Sequence, residues 1–207
     1  MLSVITLGAL VQSCGTGGPR TGYQRVDGRW AWVSDAASFT QRVQPLHADD
    51  ATFEPLAGGR FARDAASVFF DGDRLDGADA ASFEVLGGVY SRDRHRAYVT
   101  VHAVPGADPG TFEPLAFPYA RDARSVYYGT VRMDVALPEA FQVLEPSGGV
   151  AITPVRYLDD LHRGLGDTLR ARGYAPDDRV VVGAAVGAGI GRGRAGDRDY
   201  LGGLPTD

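Results

Sequence analysis

Carboxylates that return at a fixed interval are the side chains of this sequence best suited to chemistry. They are three aspartates and three glutamates: Asp64, Asp93 and Asp122, and Glu54, Glu84 and Glu113. A pair of carboxylates can hydrolyse a glycosidic bond, one as the acid and the other as base or nucleophile. A catalytic pair is needed once, however, and not once per repeat, whereas a turn aspartate commonly accepts hydrogen bonds from nearby backbone N–H groups. We therefore interpret these carboxylates as structural and assign no catalytic residue.

The other reactive residue types form no recognisable metal or cofactor site. The single cysteine, Cys14, cannot form an intramolecular disulfide or a multi-thiolate metal site. Gly191, Gly193 and Gly196 match Gly-x-Gly-x-x-Gly, but too few residues follow them for a dinucleotide-binding βαβ unit. The four histidines, none of them at the His-x-x-x-His spacing of a zinc site, are His47, His95, His102 and His162. We predict no metal and no cofactor.

Composition and charge argue against a nucleic-acid partner. The formal net charge is −5, and the basic residues are scattered singly rather than gathered into a stripe. Neutralising a phosphate backbone requires clustered lysine and arginine. Hydrophobic residues make up 44% of the chain, which is enough for a packed core, and the 28 glycines indicate many turns or a flexible segment.

Three motifs recur in one register and define an internal repeat. Phe-Glu-x-Leu, with glutamine replacing the glutamate in the last copy, begins at residues separated by 30, 29 and 29 positions: Phe53, Phe83, Phe112 and Phe141. An aromatic-x-Arg-Asp motif and then an aromatic triplet keep the same interval: Phe61–Asp64, Tyr90–Asp93 and Tyr119–Asp122, followed by Val68–Phe70, Ala97–Val99 and Val126–Tyr128. A degenerate first copy has Tyr23–Asp27 in place of the Arg-Asp motif and Ala31–Val33 as its triplet. We predict four copies over about residues 21–146.

Each copy is predicted to consist of short antiparallel strands. The aromatic triplets are strand formers, and Asp71-Gly72 after the second triplet favours a tight hairpin. Gly-Ala-Asp before the motifs that begin at Phe83 and Phe112 favours a single helical turn capped by the aspartate. No copy contains a helix long enough for a parallel crossover. The predicted fold class is therefore all-β, with antiparallel repeats of about three short strands plus a one-turn helix, and with a C-terminal α-helix.

This combination of motifs resembles the DKNYY family of bacterial repeat proteins. The resemblance covers Phe61–Leu86, Tyr90–Leu115 and Tyr119–Leu144, and more weakly Tyr23–Leu56. The Lys-Asn of the family name is replaced in each copy, by Ala65-Ala66 in the first of these. The resemblance implies an envelope protein, often a lipoprotein, and implies no established chemistry.

The middle residues of the triplets are the candidate binding surface. Phe69, Tyr98 and Tyr127 share one face of the predicted strands. If that face is exposed, its aromatic rings could stack on sugars or peptides. The alternative is that both faces of each sheet are covered.

The N-terminus resembles a bacterial lipoprotein signal. An uncharged apolar run, Leu2–Val11, precedes Gln-Ser-Cys14 and then a glycine-rich tether. In such signals the cysteine is lipidated after cleavage before it, so Cys14 is the predicted lipidation site and residues 1–20 form the signal and tether. The positive residues that usually precede the apolar run are missing. The alternative is a buried first strand with an inert cysteine.

The C-terminal sixty residues leave the repeat pattern. Tyr157, Leu158, Leu161, Leu165 and Leu169 fall on one helical face and predict a helix over about 155–172. We assign residues 147–175 as a helical cap. The glycine-rich residues 176–207 are predicted, from composition, to be a flexible tail.

Three functions are consistent with these patterns. The leading interpretation is an exported, lipid-anchored protein of the bacterial envelope that binds or scaffolds an envelope protein or glycan through its repeat surface, without catalysis. The alternatives are an enzyme that acts on envelope glycans with carboxylates from different copies, and an immunity or inhibitor protein. The sequence indicates no oligomeric state.

Overall fold

The structure is a computed structural model that describes residues 21–35, 41–158, 162, 164–184 and 190–206. Within these residues it consists mainly of short strands in small antiparallel sheets, with one complete α-helix near the C-terminus. The predicted all-β class is confirmed. None of the helices in the described part of the chain has the length and apolar character that a membrane span requires. Cys14 and the rest of the predicted signal lie outside the described residues.

The first four sheets follow the chain in order. The first sheet contains β1 (Gly22–Val26), β2 (Arg29–Asp35) and β3 (Gln41–Pro45). The second contains β4 (Glu54–Pro55), β5 (Phe61–Arg63), β6 (Val68–Phe70) and β7 (Asp73–Arg74). The third contains β8 (Glu84–Gly87), β9 (Tyr90–Arg92), β10 (Ala97–Val99) and β11 (His102–Ala103). The fourth contains β12 (Glu113–Pro114), β13 (Tyr119–Arg121), β14 (Val126–Tyr128) and β15 (Val131–Arg132).

Each of the second to fourth sheets is one copy of the repeat, folded as a four-stranded meander. The copy therefore has four strands rather than about three. The predicted helical turn is a hydrogen-bonded turn at Asp49, Asp79 and Asp108, and it becomes a 3-10 helix at Pro138–Ala140. Proline at the first position of that last turn presets its φ angle for a helical conformation.

The strand pairing of the first sheet corrects the alignment of the degenerate first copy with the other copies. Tyr23 pairs with Trp32 in the way that Phe61 pairs with Phe70. The first triplet is therefore Trp30–Trp32, one residue earlier than predicted. The register is set by the turn at Asp27-Gly28, where both residues have positive φ, 50° and 79°.

The predicted flexible tail is wrong for its described residues, because they complete a fifth sheet. β16 (Phe141–Glu145) pairs with β19 (Arg192–Ala195), which continues into β20 (Arg198–Leu201) and β21 (Leu204–Thr206). A side chain at Gly193 would overlap the ring of Phe141, which lies against its backbone. Glycine is therefore required here for close packing rather than for mobility.

The residues between β16 and β19 form an insertion in the fifth sheet. It contains a two-stranded sheet of β17 (Gly149–Pro154) and β18 (Arg179–Ala184), which we call the inserted hairpin. The predicted helix over 155–172 is wrong in extent. Val155–Tyr157 is a 3-10 helix, Gly164 is left-handed with φ 80°, and the helix α1 spans Leu165–Ala171. The buried Leu158, Leu165 and Leu169 nevertheless pack onto the core, as the proposed cap requires.

Successive copies are joined by aromatic rings. The phenylalanine that begins each copy lies between a ring of the preceding sheet and a ring of its own sheet. The ring centroid of Phe83 lies 5.6 Å from that of Phe61 in the preceding sheet and 6.4 Å from that of Tyr98 in its own. For Phe112 the corresponding distances are 6.2 Å to Tyr90 and 6.0 Å to Tyr127. For Phe141 they are 5.1 Å to Tyr119 and 5.9 Å to Tyr200. No single meander could bury these rings, so neighbouring copies stabilise one another.

Candidate functional site

The predicted aromatic binding surface is buried. Phe69, Tyr98 and Tyr127 are 2%, 1% and 0% exposed. The face that they share is covered by the first phenylalanine of the same copy. Phe53, for example, lies with its ring centroid 5.8 Å from that of Phe69. These three residues therefore form part of the core and cannot present a binding face.

The repeated aspartates are also buried, and each is held by hydrogen bonds. Asp93 Oδ1 accepts from the backbone N–H groups of His95 at 2.7 Å and Arg96 at 2.8 Å. Its Oδ2 accepts from the backbone N–H of Asp79 at 2.9 Å and from the Tyr98 hydroxyl at 2.7 Å. The second carboxylate oxygen thus connects the loop after β9 to the turn that precedes β8.

The other two copies repeat this arrangement. Asp122 accepts from Arg124, Ser125 and Asp108 through their backbone N–H groups and from the Tyr127 hydroxyl, at 2.8 to 2.9 Å. Asp64 accepts from the backbone of Ala66, Ser67 and Asp49, but Phe69 has no hydroxyl to donate. The middle tyrosines of the triplets are therefore polar groups of the core rather than ligand contacts.

Hydrogen bonding decides the charge state of these carboxyls. Burial alone would raise the pKa of Asp64, Asp93 and Asp122, but the hydrogen bonds donated to each carboxylate outweigh it and lower the pKa. Burial and the neighbouring Asp122 carboxylate raise the pKa of the Tyr127 hydroxyl to about 12. A general acid of a glycosidase needs a raised carboxyl pKa. The periodic aspartates have the opposite shift, which fits the structural role that we inferred from their spacing.

A second repeated element lies on the surface beside each aspartate. The arginine before it pairs with the glutamate of the adjacent strand: Arg63 with Glu54 at 2.7 Å, Arg92 with Glu84 at 2.8 Å, and Arg121 with Glu113 at 2.5 Å. The glutamate side chains are 54%, 56% and 52% exposed. The sequence predicted these glutamates as strand residues but did not show that they share an open surface with the arginines.

The same arginines connect each copy to the next. Arg63 Nη1 donates to the carbonyl of Ala80 at 3.2 Å, and Arg92 Nη1 donates to that of Pro109 at 2.9 Å. In the first sheet Arg25 donates in the same way to the carbonyl of Asp50 at 3.3 Å. The constant position of this arginine in the motif was the available signal for a link between copies.

Two of the three Arg–Glu pairs line shallow cavities, which we call the Arg–Glu notches. One notch, of about 280 Å³, lies in the second sheet, and another, of about 200 Å³, lies in the fourth. They are lined by Thr52, Glu54, Arg63, Asp64, Ala65, Ala80 and Ala81, and by Thr111, Glu113, Arg121, Asp122, Ala123 and Glu139. At the corresponding position of the third sheet, Arg94 replaces the alanine and pairs with Asp79 at 2.7 Å.

The histidines contribute no metal site in the described residues, where no cluster of three or more potential ligands occurs. His162 is buried at the inserted hairpin, with Nε2 donating to the carbonyl of Gly183 at 2.9 Å. Burial lowers its pKa, since an imidazolium would be poorly solvated there. This residue therefore packs as a neutral core histidine, edge-on to Tyr128.

Comparison with known proteins gives no further assignment: no protein-family model, no curated protein and no solved structure matches the chain.

Proposed function

We propose that this protein is a non-enzymatic binding or scaffolding module of the bacterial cell envelope, and that its three Arg–Glu pairs, with the notches beside two of them, contact an envelope glycan. The observation that supports the proposal most directly is the repetition itself. The same half-buried arginine and exposed glutamate occur in three consecutive copies, in the same positions of three similar sheets. A polymer with a repeating unit can contact such a row more than once, and each contact adds to the overall affinity.

The chemistry of the notch suits a polyhydroxylated ligand. A sugar hydroxyl both donates and accepts hydrogen bonds, the glutamate accepts, and the guanidinium donates. Because the arginine is already fixed by its glutamate and by the carbonyl of the next copy, little side-chain entropy is lost on binding. The open, shallow form of the notches also fits a chain that lies along the surface.

Binding through the notches is tested with a triple variant, Glu54→Gln/Glu84→Gln/Glu113→Gln. We expect it to co-sediment with isolated cell-wall glycan about tenfold less tightly than the unaltered protein, since three charge-assisted contacts are weakened together. Its stability should change little, because exposed ion pairs contribute about 0 to 1 kcal/mol each.

Glu145→Gln is the matched control for that experiment. Glu145 is a similarly exposed strand glutamate that pairs with Arg192 at 3.4 Å, outside the notches. It should bind the glycan as the unaltered protein does. Equal co-sedimentation of the triple variant and the control, or no binding by the unaltered protein, would refute the notch proposal.

The envelope location is a separate proposal that rests on the lipoprotein-like sequence around Cys14 and on the resemblance to the DKNYY repeats. We expect the membrane-fraction product to begin at residue 14 and to carry added lipid, and we expect Cys14→Ala to abolish both. Mass spectrometry of the two products measures this directly. A soluble product that keeps Met1 would overturn the lipid anchor.

A further inference from the structure

A groove of about 350 Å³ lies between the fourth sheet and the end of helix α1, away from the notches. It is lined by Pro105, Arg132, Met133, Asp134, Arg172 and Tyr174. Arg132 ends the edge strand β15, and Arg172 and Tyr174 follow the helix of the insertion. Its volume is within the range of small-molecule sites. The groove exists because the insertion in the fifth sheet packs against the last regular copy.

The charges in this groove are unbalanced. Arg172 Nη1 donates to the backbone carbonyl of Arg132 at 2.6 Å, which holds its guanidinium at the wall. Within the described residues neither Arg132 nor Arg172 forms an ion pair, whereas Arg63, Arg92 and Arg121 each have a glutamate partner. Asp134 is the one acid of the lining, which therefore contains two arginines for one carboxylate. The groove is therefore cationic although the chain as a whole is acidic.

The remaining lining residues suit a ligand with a small apolar part. Met133, which is 4% exposed, and Pro105 contribute apolar atoms to the lining. Tyr174 is half-buried and adds a phenolic hydroxyl as a donor. Guanidiniums with a neighbouring hydroxyl donor are typical partners of phosphate and carboxylate oxygens.

We propose that this groove binds an anionic group, the phosphate or carboxylate of a small ligand, through Arg132, Arg172 and Tyr174. This inference does not depend on the notch proposal, because none of the residues that line the two notches lines the groove. Asp134 opposes binding by charge and therefore limits the affinity for any anion. The partly apolar lining selects for ligands whose charged group is attached to a hydrophobic body.

The test is a titration of the full chain with inorganic phosphate and, separately, with acetate. The NMR signals of the Met133 methyl group and of the arginine Nε–H groups monitor binding during each titration. We expect saturable shifts at Met133, Arg132 and Arg172. Arg132→Gln and Arg172→Gln should each weaken binding about tenfold, and Asp134→Asn should strengthen it. Saturation by phosphate alone indicates a phosphorylated ligand, and saturation by acetate indicates a carboxylate.

Arg74→Gln is the matched control. Arg74 lies opposite Phe69 on β7 as Arg132 lies opposite Tyr127 on β15, and it has no part in the groove. Binding by this variant should equal that of the unaltered protein. The inference is overturned if neither anion saturates the groove, or if Arg74→Gln weakens binding as much as Arg132→Gln does. Denaturation midpoints of all variants show whether a loss of binding reflects a loss of folding.

Discussion

Replacing Gly129 by alanine is expected to destabilise the protein by about 4 kcal/mol. Gly129 begins the tight turn between β14 and β15 with a φ of 61°, a conformation that alanine adopts poorly. A Cβ at this position would also overlap the carbonyl group of Val181 in the inserted hairpin. The adjacent Thr130 connects the same two elements by two hydrogen bonds. Its backbone N–H donates to the Val181 carbonyl at 2.9 Å, and its hydroxyl accepts from the Val181 N–H at 3.0 Å. The clash therefore separates the fourth sheet from the insertion.

Gly88→Ala is the control that separates backbone strain from the clash. Gly88 has nearly the same φ, 57°, but nothing lies within 4 Å of a Cβ added there. We expect it to cost about 1 kcal/mol, the strain of the left-handed conformation alone. The free energies of unfolding are measured by urea denaturation. If both variants unfolded at the same urea concentration, the inserted hairpin would not pack against this turn.

Asp93→Ala is expected to lower the free energy of unfolding by about 3 to 5 kcal/mol. The substitution leaves three backbone N–H groups and the Tyr98 hydroxyl without their acceptor, in a site where Asp93 is 3% exposed. It also breaks the link between the turn at Asp79 and the loop after β9. Tyr98→Phe removes a single donor and should cost about 1 kcal/mol. Asp76→Ala, at an exposed turn position, should cost close to nothing.

The low pKa of the Asp93 carboxylate predicts that the free energy of unfolding depends on pH in the acid range. The pKa of Asp93 is lower in the folded protein than its unfolded value of about 3.9. The unfolded chain therefore binds more protons in this range, so the free energy of unfolding decreases as the pH falls below about 4 and through the folded pKa. Urea denaturation of Asp93→Asn between about pH 4 and pH 2 should show a shallower decrease. An identical pH dependence in both proteins would mean that Asp93 is not held as a carboxylate.

The candidate site was only partly predictable from the sequence. The interval of Asp64, Asp93 and Asp122 was enough to identify them as structural, because a local turn needs an acceptor in every copy. The exposure of Phe69, Tyr98 and Tyr127 was not predictable, since alternation along a strand shows which residues share a face but not what covers it. The Arg–Glu notches and the cationic groove combine residues from different elements, so no local pattern indicated them.

The sequence by itself determined the interval of the copies and the antiparallel, tightly turned strands within them, because these depend on neighbours a few residues apart. The tertiary structure decided the rest. The ring of Phe141 packs on Gly193 of β19, which follows the insertion in the chain. A glycine-rich segment that its composition predicted to be flexible therefore forms the second strand of a sheet. Gly129 departs from the Asp-Gly of Asp71-Gly72 because the backbone of Val181 occupies the space of its side chain. Such requirements arise from close packing between distant segments, which has no period along the chain.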